Sequence, residues 1–331
     1  MDSKLIHSNP EVYLVKNSPS RKSQFSVNCF LLRNDDEWLI IDTGPPSKWS
    51  EGILRKALRE HKINARNAKV FLTHFHADHA GLAKKIASTG MKVYAGQAEY
   101  DRTNRKTATK HGRSLYSKLL EVGVPRIEAL VTSVVAIYGG KQPKTSEEIT
   151  LMQENDQISV GSLKLQVVDT SGHTQGHLSL YEPQSKILFG GDHILYGIAP
   201  SIEYFFGEGN GIVTYLDHLD KIGTLPIAHY YHSHGVIRAD HHERITELKA
   251  HHCARLKDAE SIINDNPGIR GFDLICRLRW SAPGSTWTSR PYVKRAFILM
   301  QGLSVLELLV KQGRVQRILD DQKKYRYRIS K

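Results

Sequence analysis

Residues 73 to 79 read Thr73-His74-Phe75-His76-Ala77-Asp78-His79 and directly follow the apolar run Val70-Phe71-Leu72, which predicts a buried strand. Packing three imidazoles and a carboxylate this closely is costly unless a cation binds among them. Together these groups suit Zn²⁺ or a similar borderline divalent ion. A catalytic site of this kind leaves one coordination position open for water, so the histidine string favours a hydrolase.

Two metal ions are favoured over one, because a single tetrahedral ion could hardly take four ligands from one short string. Further ligands are expected where strands end in glycine-rich turns. The resulting assignment is His74, His76 and His173 for one ion, Asp78, His79 and His234 for the other, and Asp192 as the bridge. Such a bridge holds two ions about 3.5–4 Å apart, a separation at which a shared water becomes hydroxide near neutral pH.

The histidine string is one of five landmarks along the chain. The others are Asp42 in Leu39-Ile40-Ile41-Asp42-Thr43-Gly44, His173 in Ser171-Gly172-His173-Thr174-Gln175-Gly176-His177, Asp192 in Gly191-Asp192-His193, and His234 in His232-Ser233-His234-Gly235. With these landmarks, spread over about residues 10 to 250, the chain resembles the metallo-β-lactamase superfamily of hydrolases. Many members carry Pro-Gly-His-Gly at the last landmark, so His232 is a rival of His234 there.

Apolar alternation and turn residues predict two groups of strands with helices outside them. The predicted strands are 12–16, 27–33, 38–42, 149–152, 163–168, 178–181 and 187–189, with a further one at Ile158, and the predicted helices are 49–61, 80–88, 212–222 and 240–263. This arrangement, which the resemblance also implies, is an α+β fold: a four-layer αββα metallo-β-lactamase sandwich.

We expect a metallo-β-lactamase-like domain over residues 1–250, with a helical insertion at about 100–145, and a C-terminal helical or winged-helix-like domain over residues 251–331. In this tail, helices are predicted at 293–300 and 303–311, and a two-stranded wing at 314–317 and 324–328. The tail resembles that of bacterial metallo-hydrolases of the superfamily and of a mitochondrial endoribonuclease. Cleft shaping or a homodimer contact is favoured over nucleic-acid binding, because no helix with base-reading side chains is evident.

Positive charge is concentrated in the insertion and the tail. Residues 102–118 contain six lysines or arginines and no acid, residues 290–331 contain eleven bases and three acids, and the whole chain carries +12. A basic surface raises the local concentration of anionic partners. We therefore expect a small, anionic substrate. Arg102, Arg105, Lys106 and Arg113 are candidates to contact a carboxylate, phosphate or coenzyme A tail, although a solvated helix face is the commoner explanation.

Three residues are the predicted catalytic groups: Asp78, His193 and Tyr196. Asp78 is expected to be both a ligand and a proton shuttle, while His193 and Tyr196 are candidates to contact substrate. His177 and His193 also suit an outer role that orients the ligands. Four histidines of the predicted helix at 240–263 are interpreted as solvated: His241, His242, His251 and His252.

Three functions are compatible with these residues. The first is hydrolysis of a small ester, thioester or lactone, in which a metal-bridging hydroxide attacks the carbonyl. The second is a compact nuclease or phosphodiesterase acting on RNA or DNA with the same metals. The third, a non-catalytic DNA-binding protein, is disfavoured by the intact ligand set. His76 stands where diiron oxygen-reducing relatives have a carboxylate, whereas a persulfide dioxygenase is distinguished only by metal stoichiometry.

Composition indicates a cytoplasmic protein with no membrane span. No apolar run approaches the length needed to cross a bilayer, and the N-terminus lacks the layout of a signal peptide. Three cysteines, Cys29, Cys253 and Cys276, are too scattered for a disulfide framework or a thiolate zinc site. The ligand types favour Zn²⁺, with Fe or Mn as alternatives depending on supply.

Overall fold

The histidine string follows the fifth strand of a seven-stranded sheet. The computed structural model describes residues 3–101, 104–138, 149–207, 209–280 and 286–330. Neighbouring strands of the first sheet are, in order, β1 (Ser3–Ser8), β2 (Glu11–Asn17), β3 (Val27–Asn34), β4 (Glu37–Ile41), β5 (Ala68–Leu72), β6 (Lys92–Gly96) and β7 (Ile149–Met152). β1 to β4 pair antiparallel and β4 to β7 pair parallel. The carboxyl ends of β4, β5 and β6 therefore meet at one edge of the sheet, where parallel sheets place their binding sites.

A second sheet has five strands. In chain order they are β8 (Gln157–Val160), β9 (Leu163–Asp169), β10 (Leu178–Glu182), β11 (Ile187–Gly191) and β12 (His229–His232), and their spatial order is β12-β11-β10-β9-β8. β11 and β12 are parallel, whereas the other neighbours are antiparallel. The parallel pair brings the segments that follow β11 and β12 to the same end of this sheet.

The two sheets face each other across a shared apolar core. The ring centres of Phe30 in β3 and Phe189 in β11 are 5.5 Å apart, and Tyr231 in β12 stacks on Phe30 at the same distance. The other face of the first sheet packs against α1 (Lys48–Glu60), α2 (Ala77–Ala80) and α3 (Ala83–Ala87), with Leu54 and Ala57 of α1 fully buried. The α+β sandwich expected for the metallo-β-lactamase fold is confirmed.

The remaining helices and strands are α4 (Gln97–Asp101), α5 (Arg105–Glu121), α6 (Arg126–Tyr138), α7 (Gly211–Thr224), α8 (His241–Asp265), β13 (Ile269–Arg270), α9 (Gly271–Arg277), α10 (Tyr292–Lys311), β14 (Val315–Leu319) and β15 (Tyr325–Ile329). α10 packs against α6 and α9, and from Ala296 to Leu309 none of its residues is exposed. The last three strands form a small sheet in the order β13-β15-β14.

Two helix predictions need correction. The helix expected at 80–88 is interrupted, so that α2 ends at Ala80 and α3 begins at Ala83. A β-carbon at Gly81 would lie 2.3 Å from the carbonyl oxygen of Ala77 and 2.5 Å from the nitrogen of Pro46, so the chain passes too close here for any other residue. In the tail, the two helices expected at 293–300 and 303–311 are one continuous helix, α10, because Gln301 and Gly302 are buried helical residues.

The paired strands β14 and β15 lie where the wing is predicted, and the winged-helix designation of the tail stays a prediction. Residues 139–145 of the expected insertion and Arg102 lie outside the described residues, as does the side chain of Arg105. No helix within the described ranges is long and apolar enough to cross a bilayer.

The chain divides into two compact units. The first comprises residues 1–103, 140–200 and 218–245, and the second comprises residues 104–139, 201–217 and 246–331. The helical insertion and the C-terminal segment thus belong to the same unit. The predicted domain boundary at residue 250 falls within α8 and stays a prediction.

Candidate metal centre

The histidine string turns the chain sharply at the end of β5. His76 has extended backbone angles, φ −61° and ψ 147°, and caps the one-turn helix α2, so His74 and His76 leave the strand before Asp78 and His79 enter the turn. His74 Nε2 lies 3.0 Å from His76 Nδ1, and His173 Nε2 lies 2.9 Å from the same nitrogen. These three nitrogens form one group of ligand atoms.

A second group lies beside the first. His234 Nε2 is 3.4 Å from Asp78 Oδ2, and His79 Nε2 is 3.5 Å from the same oxygen. Asp192 Oδ1 lies 3.4 Å from His234 Nε2 and 3.5 Å from His79 Nε2, while its Oδ2 lies 3.5 Å from His173 Nε2 of the first group. The two oxygens of Asp192 therefore point to different groups.

The spacing of these atoms fits divalent cations. Four ligands held 2.0–2.1 Å from a tetrahedral ion are separated from one another by about 3.3 Å, which matches the separations of the second group. His79 Nε2 and Asp192 Oδ1 are also buried and make no hydrogen bond within the described residues. Buried polar atoms are almost always paired, so two such atoms facing each other indicate a position for a cation.

The ends of neighbouring strands bring the ligands together. The string follows β5, Asp192 directly follows β11, and His234 follows the parallel neighbour β12. His173 lies in the turn between β9 and β10, and the N–H of Leu178, the first residue of β10, donates to the carbonyl of Thr73. Both sheets therefore contribute to one cluster.

Outer contacts fix the orientation of two rings. Asp42, which follows β4, lies 2.8 Å from His79 Nδ1 through Oδ2 and accepts the backbone N–H of Thr73 at 2.9 Å through Oδ1. His234 Nδ1 lies 2.9 Å from the carbonyl of Ser26. Because each Nδ1 has an acceptor, each Nε2 is directed into the cluster, as ligand histidines require.

His177 supports Asp192 from behind. The backbone N–H of Asp192 donates to His177 Nε2 at 3.1 Å, and His177 Nδ1 lies 2.8 Å from the hydroxyl of Thr170. His177 is fully buried, so its ring cannot exchange these partners for water. The outer role expected for His177 agrees with these contacts.

Two positioning residues have no motif in the sequence. Glu99 of α4 is buried and accepts the N–H of Phe75 at 2.9 Å and that of Gly176 at 3.1 Å, joining the loops that carry His76 and His173. The Asn28 side-chain amide donates to the carbonyls of His232 at 3.0 Å and Gly235 at 3.1 Å. Only the order of the strands, which places β6 and β3 beside these loops, could have indicated them.

Burial keeps two rings of the first group, those of His74 and His76, neutral. It lowers the pKa of His74 well below its ordinary value and brings the pKa of His76 to about 3, with neighbouring histidines acting in the same direction. A neutral imidazole has a free lone pair on one nitrogen. Both rings are therefore ready to bind a metal at neutral pH.

Carboxylates raise the pKa of the two histidines in the second group. Burial disfavours charge on His79 and His234, but the neighbouring carboxylates, Asp192 foremost, outweigh it and raise the pKa of His79 well above its ordinary value and that of His234 to about 10. In the metal-free cluster, protons on these rings therefore balance the acidic oxygens. A divalent ion can displace these protons.

The other predicted site residues lie apart from the two ligand groups. His232, the rival of His234, is fully buried and its ring centre is 4.8 Å from that of Tyr196. Tyr196 is half-buried beside the guanidinium of Arg238, at 5.1 Å. His193 is fully buried, with its ring 6.4 Å from that of His177. Substrate contacts by His193 and Tyr196 stay predictions.

The interpretation of four helical histidines as solvated is wrong for two of them. His241 is 4% exposed and His252 is 2% exposed, whereas His242 and His251 are exposed as expected. Successive residues on a helix point in different directions, so one histidine of each pair packs inward.

Comparison with known proteins identifies the family. The sequence model described as "Metallo-beta-lactamase superfamily" matches residues 23–234, which include all seven predicted ligands. "Beta-lactamase-like protein 2 homolog" of Caenorhabditis elegans is 22% identical over 297 residues, covering 88% of this chain and 80% of that protein.

Some relatives have names that denote enzymes. "Acyl-coenzyme A thioesterase MBLAC2" of Bos taurus is 27% identical over 177 residues, covering 52% of this chain and 59% of that protein. "Hydroxyacylglutathione hydrolase GloC" of Haemophilus influenzae is 24% identical over 175 residues, covering 52% of this chain and 69% of that protein. The match spans less than two thirds of the length of the thioesterase.

Solved structures share the fold over nearly the whole chain. The metallo-beta-lactamase family protein TTHA1429 of Thermus thermophilus has a TM-score of 0.76 at 24% identity, covering 96% of this chain and 98% of that one. A beta-lactamase domain protein of Burkholderia ambifaria has a TM-score of 0.80 at 22% identity, covering 99% and 94%. At these identities the likeness concerns the fold alone.

Proposed function

Because the chain belongs to the metallo-β-lactamase superfamily and is a metal-dependent hydrolase, we propose that it acts through two divalent ions on a small thioester. The observation that carries the proposal is that the two carboxylate oxygens of Asp192 point to different ligand groups. One lies towards His173, and the other lies towards His79 and His234. A carboxylate shared in this way is the arrangement expected of a bridge between two ions. The proposed ligands are His74, His76 and His173 for one ion, Asp78, His79 and His234 for the other, and Asp192 for both.

The chemistry of two such ions is the supply of hydroxide at neutral pH and the polarisation of a carbonyl group. Asp78 is the proposed proton shuttle. Its side chain is 24% exposed, against 8% for Asp192, so Asp78 is the carboxylate of the cluster that substrate and solvent reach most readily. Although burial alone favours its protonated form, the neighbouring His79 and His234 lower the pKa of Asp78, so its carboxylate is ionised at neutral pH.

Among the carbonyl substrates, the thioester is favoured by the names of the thioesterase and the hydrolase described above. Their names denote hydrolases of acyl groups carried by coenzyme A and by glutathione, both of which are thiols with negative charge. The basic composition of the chain, with net charge +12, suits such an anionic carrier. Zn²⁺ as the metal, the cytoplasm as the compartment and a homodimer as the assembled state complete the proposal.

The number of ions is tested by elemental analysis of the purified chain. We expect close to two transition-metal ions per chain, and His76→Ala should lose an ion of the first group together with turnover. His242→Ala, which removes an exposed histidine of α8, is the matched control and should keep both. Full metal content with unchanged activity in His76→Ala would refute the assignment.

The substrate class requires a separate assay. Purified protein is offered acyl-coenzyme A, acylglutathione, lactone and labelled RNA under the same conditions. The proposal is supported if the protein hydrolyses the thioesters and leaves the RNA uncleaved. RNA cleavage that falls steeply with salt, as phosphate-driven binding should, contradicts it in favour of the nuclease.

A further inference from the structure

We propose that a cleft in the second unit binds the phosphate group of a small phosphorylated molecule. The cleft, about 400 Å³ in volume, lies between α8 and the segment that follows α9 and is lined by His251, Ala254, Arg255, Asp258, Arg279 and Trp280. The four residues from α8 stand at positions i, i+3, i+4 and i+7 and so share one face of the helix. The volume is within the range of small-molecule sites.

Arg255 is the residue that indicates an anion. It is 9% exposed, its Nη2 lies 2.9 Å from His251 Nε2, and its guanidinium carbon lies 4.5 Å from the ring centre of Trp280. Its Nε is buried and makes no hydrogen bond to any residue that the structure describes. Among the described residues, no carboxylate oxygen lies within 4.0 Å of a guanidinium nitrogen of Arg255, the distance that defines an ion pair.

A buried guanidinium without a carboxylate is unfavourable, because one hydrogen-bond partner and an aromatic ring do not replace the water that the charge loses. Burial lowers the pKa of Arg255 to about 10, with Asp258 as the group that opposes the shift. The side chain is nevertheless charged at neutral pH. An anion in the cleft supplies the missing counter-charge.

Asp258 is already engaged elsewhere. It accepts the backbone N–H of Arg279 at 3.4 Å, and its Oδ1 lies 3.5 Å from the Arg279 guanidinium. The Arg279 side chain is 87% exposed, so this second guanidinium also reaches solvent. Two guanidinium groups against one carboxylate leave the lining with excess positive charge.

The chemistry of the lining favours phosphate. Arginine presents a planar set of donors that matches phosphate oxygens, and a phosphate can accept from more than one guanidinium. Trp280 is fixed by a hydrogen bond from its indole N–H to the carbonyl of Ile275 at 2.7 Å, so it offers a rigid aromatic wall. A phosphate linked through a sugar to a planar base, as in a nucleoside monophosphate, can use both features, and inorganic phosphate can use the first.

The test is calorimetric titration of the full chain with inorganic phosphate and with AMP, at constant ionic strength and with chloride as the reference anion. We expect Arg279→Ser to weaken phosphate binding about tenfold, the value of one charge-assisted hydrogen bond. Arg126→Ser is the matched control, because it removes an exposed arginine of the same unit from α6, outside the cleft. Tighter binding of AMP than of phosphate assigns a role to Trp280, and equal binding assigns the site to phosphate alone.

Arg255→Met should abolish this binding while the far-ultraviolet circular dichroism stays that of the folded chain. If Arg255→Met does not fold, the comparison of Arg279→Ser with Arg126→Ser decides. Phosphate binding no stronger than chloride binding overturns the proposal. So does phosphate affinity that Arg279→Ser leaves unchanged, since the anion then binds elsewhere, for example at the metal centre.

Discussion

At the scale of single residues, Asp192 connects the two ligand groups and is itself held by its backbone. Its carboxylate lies 3.5 Å from His173 on one side and 3.4 Å from His234 on the other. His177, which is not a predicted ligand, accepts its N–H. The geometry of the centre thus depends on buried groups that never touch a metal, and such groups commonly change metal affinity about 10- to 100-fold.

Glu99 offers a direct test of that dependence. Both carboxylate oxygens of Glu99 accept a backbone N–H, whereas the amide of Glu99→Gln has only one oxygen that can accept. The loops of His76 and His173 should therefore separate. We expect metal affinity to fall about 10- to 100-fold, as for other outer groups. The measurement is competition with a chromophoric chelator, supported by the absorption spectrum of the Co²⁺-substituted protein.

Glu182→Gln is the matched control for Glu99→Gln. Glu182 is equally buried and also accepts two backbone N–H groups, those of Gln184 and Ser185, but in the turn between β10 and β11. Both variants should lose about 1–3 kcal/mol of unfolding free energy, because each leaves a buried donor unsatisfied. An equal loss of metal affinity in both variants would show that Glu99 acts only on stability.

The sequence indicates the proposed ligands more readily than the residues that position them. His74 and His76 are recognisable because imidazole chemistry and close spacing point to metal in any fold. Glu99 and Asn28 bind backbone groups that lie far away in sequence, and their partners become known only when the strands are ordered. His252 is misjudged for a similar reason, since its burial depends on which side of α8 the rest of its unit covers.

At the scale of elements, α10 is built as a core helix. Leu299 and Leu309 are fully buried, and the stretch from Ala296 to Leu309 packs against α6 and α9. A helix that reads bases needs an exposed face to enter the major groove. α10 offers none over this stretch, which supports a structural role for this helix. Whether the tail binds nucleic acid stays a prediction.

Leu309→Ala tests this structural role. Removing a fully buried leucine side chain should lower the unfolding free energy by about 2–5 kcal/mol, measured by urea denaturation. The control Lys311→Ala, at an exposed position of the same helix, should change it by less than about 0.5 kcal/mol. Similar small effects of both substitutions would contradict the description of α10 as core.

The predicted elements agree with the structure where the apolar pattern is long or flanked by clear turns. β3 and α1 are examples, each within two residues of its predicted bounds. Short elements without such flanks are missed, including β6 and β13. The break between α2 and α3 is missed too. Pro46 approaches Gly81 closely at this break, and a sequence pattern cannot record a contact between residues so far apart in the chain.

At the scale of the whole molecule, buried neutral histidines make stability depend on pH. Burial, with Arg255 acting in the same direction, lowers the pKa of His252 to about 3. The unfolded chain takes up a proton near the ordinary value of about 6.5, which the folded chain refuses until about pH 3. The stability contributed by neutral His252 is therefore complete above about pH 6.5 and is lost as pH falls below it.

His252→Phe keeps a ring against Tyr215 and removes this titration. Between pH 5.5 and pH 4.5, the slope of unfolding free energy against pH should be smaller than in wild type by about 1.4 kcal/mol per unit, the value of one proton. The slope is measured by urea denaturation at several pH values. Parallel slopes for the two proteins would mean that His252 takes up a proton in the folded state.

Removal of metal should affect the two units differently. All seven proposed ligands belong to the first unit, and binding stabilises the folded state by about 2.7 kcal/mol when free metal is 100 times Kd. We expect a chelator to increase hydrogen exchange in peptides covering 73–79, 171–177 and 232–235, with little change in α10. An equal increase in α10 would contradict this expectation.

The contact between Asn28 and Gly235 can form only after both residues have been synthesised. The donor and the acceptor are 207 positions apart, and a ribosome adding about 5–20 residues per second needs about 10–40 s to deliver the second after the first. During the later part of that interval the nascent protein carries the histidine string without the loop that completes its surroundings. We therefore expect metal loading to follow the synthesis of this loop, and a polypeptide released before the loop emerges should have an incomplete centre.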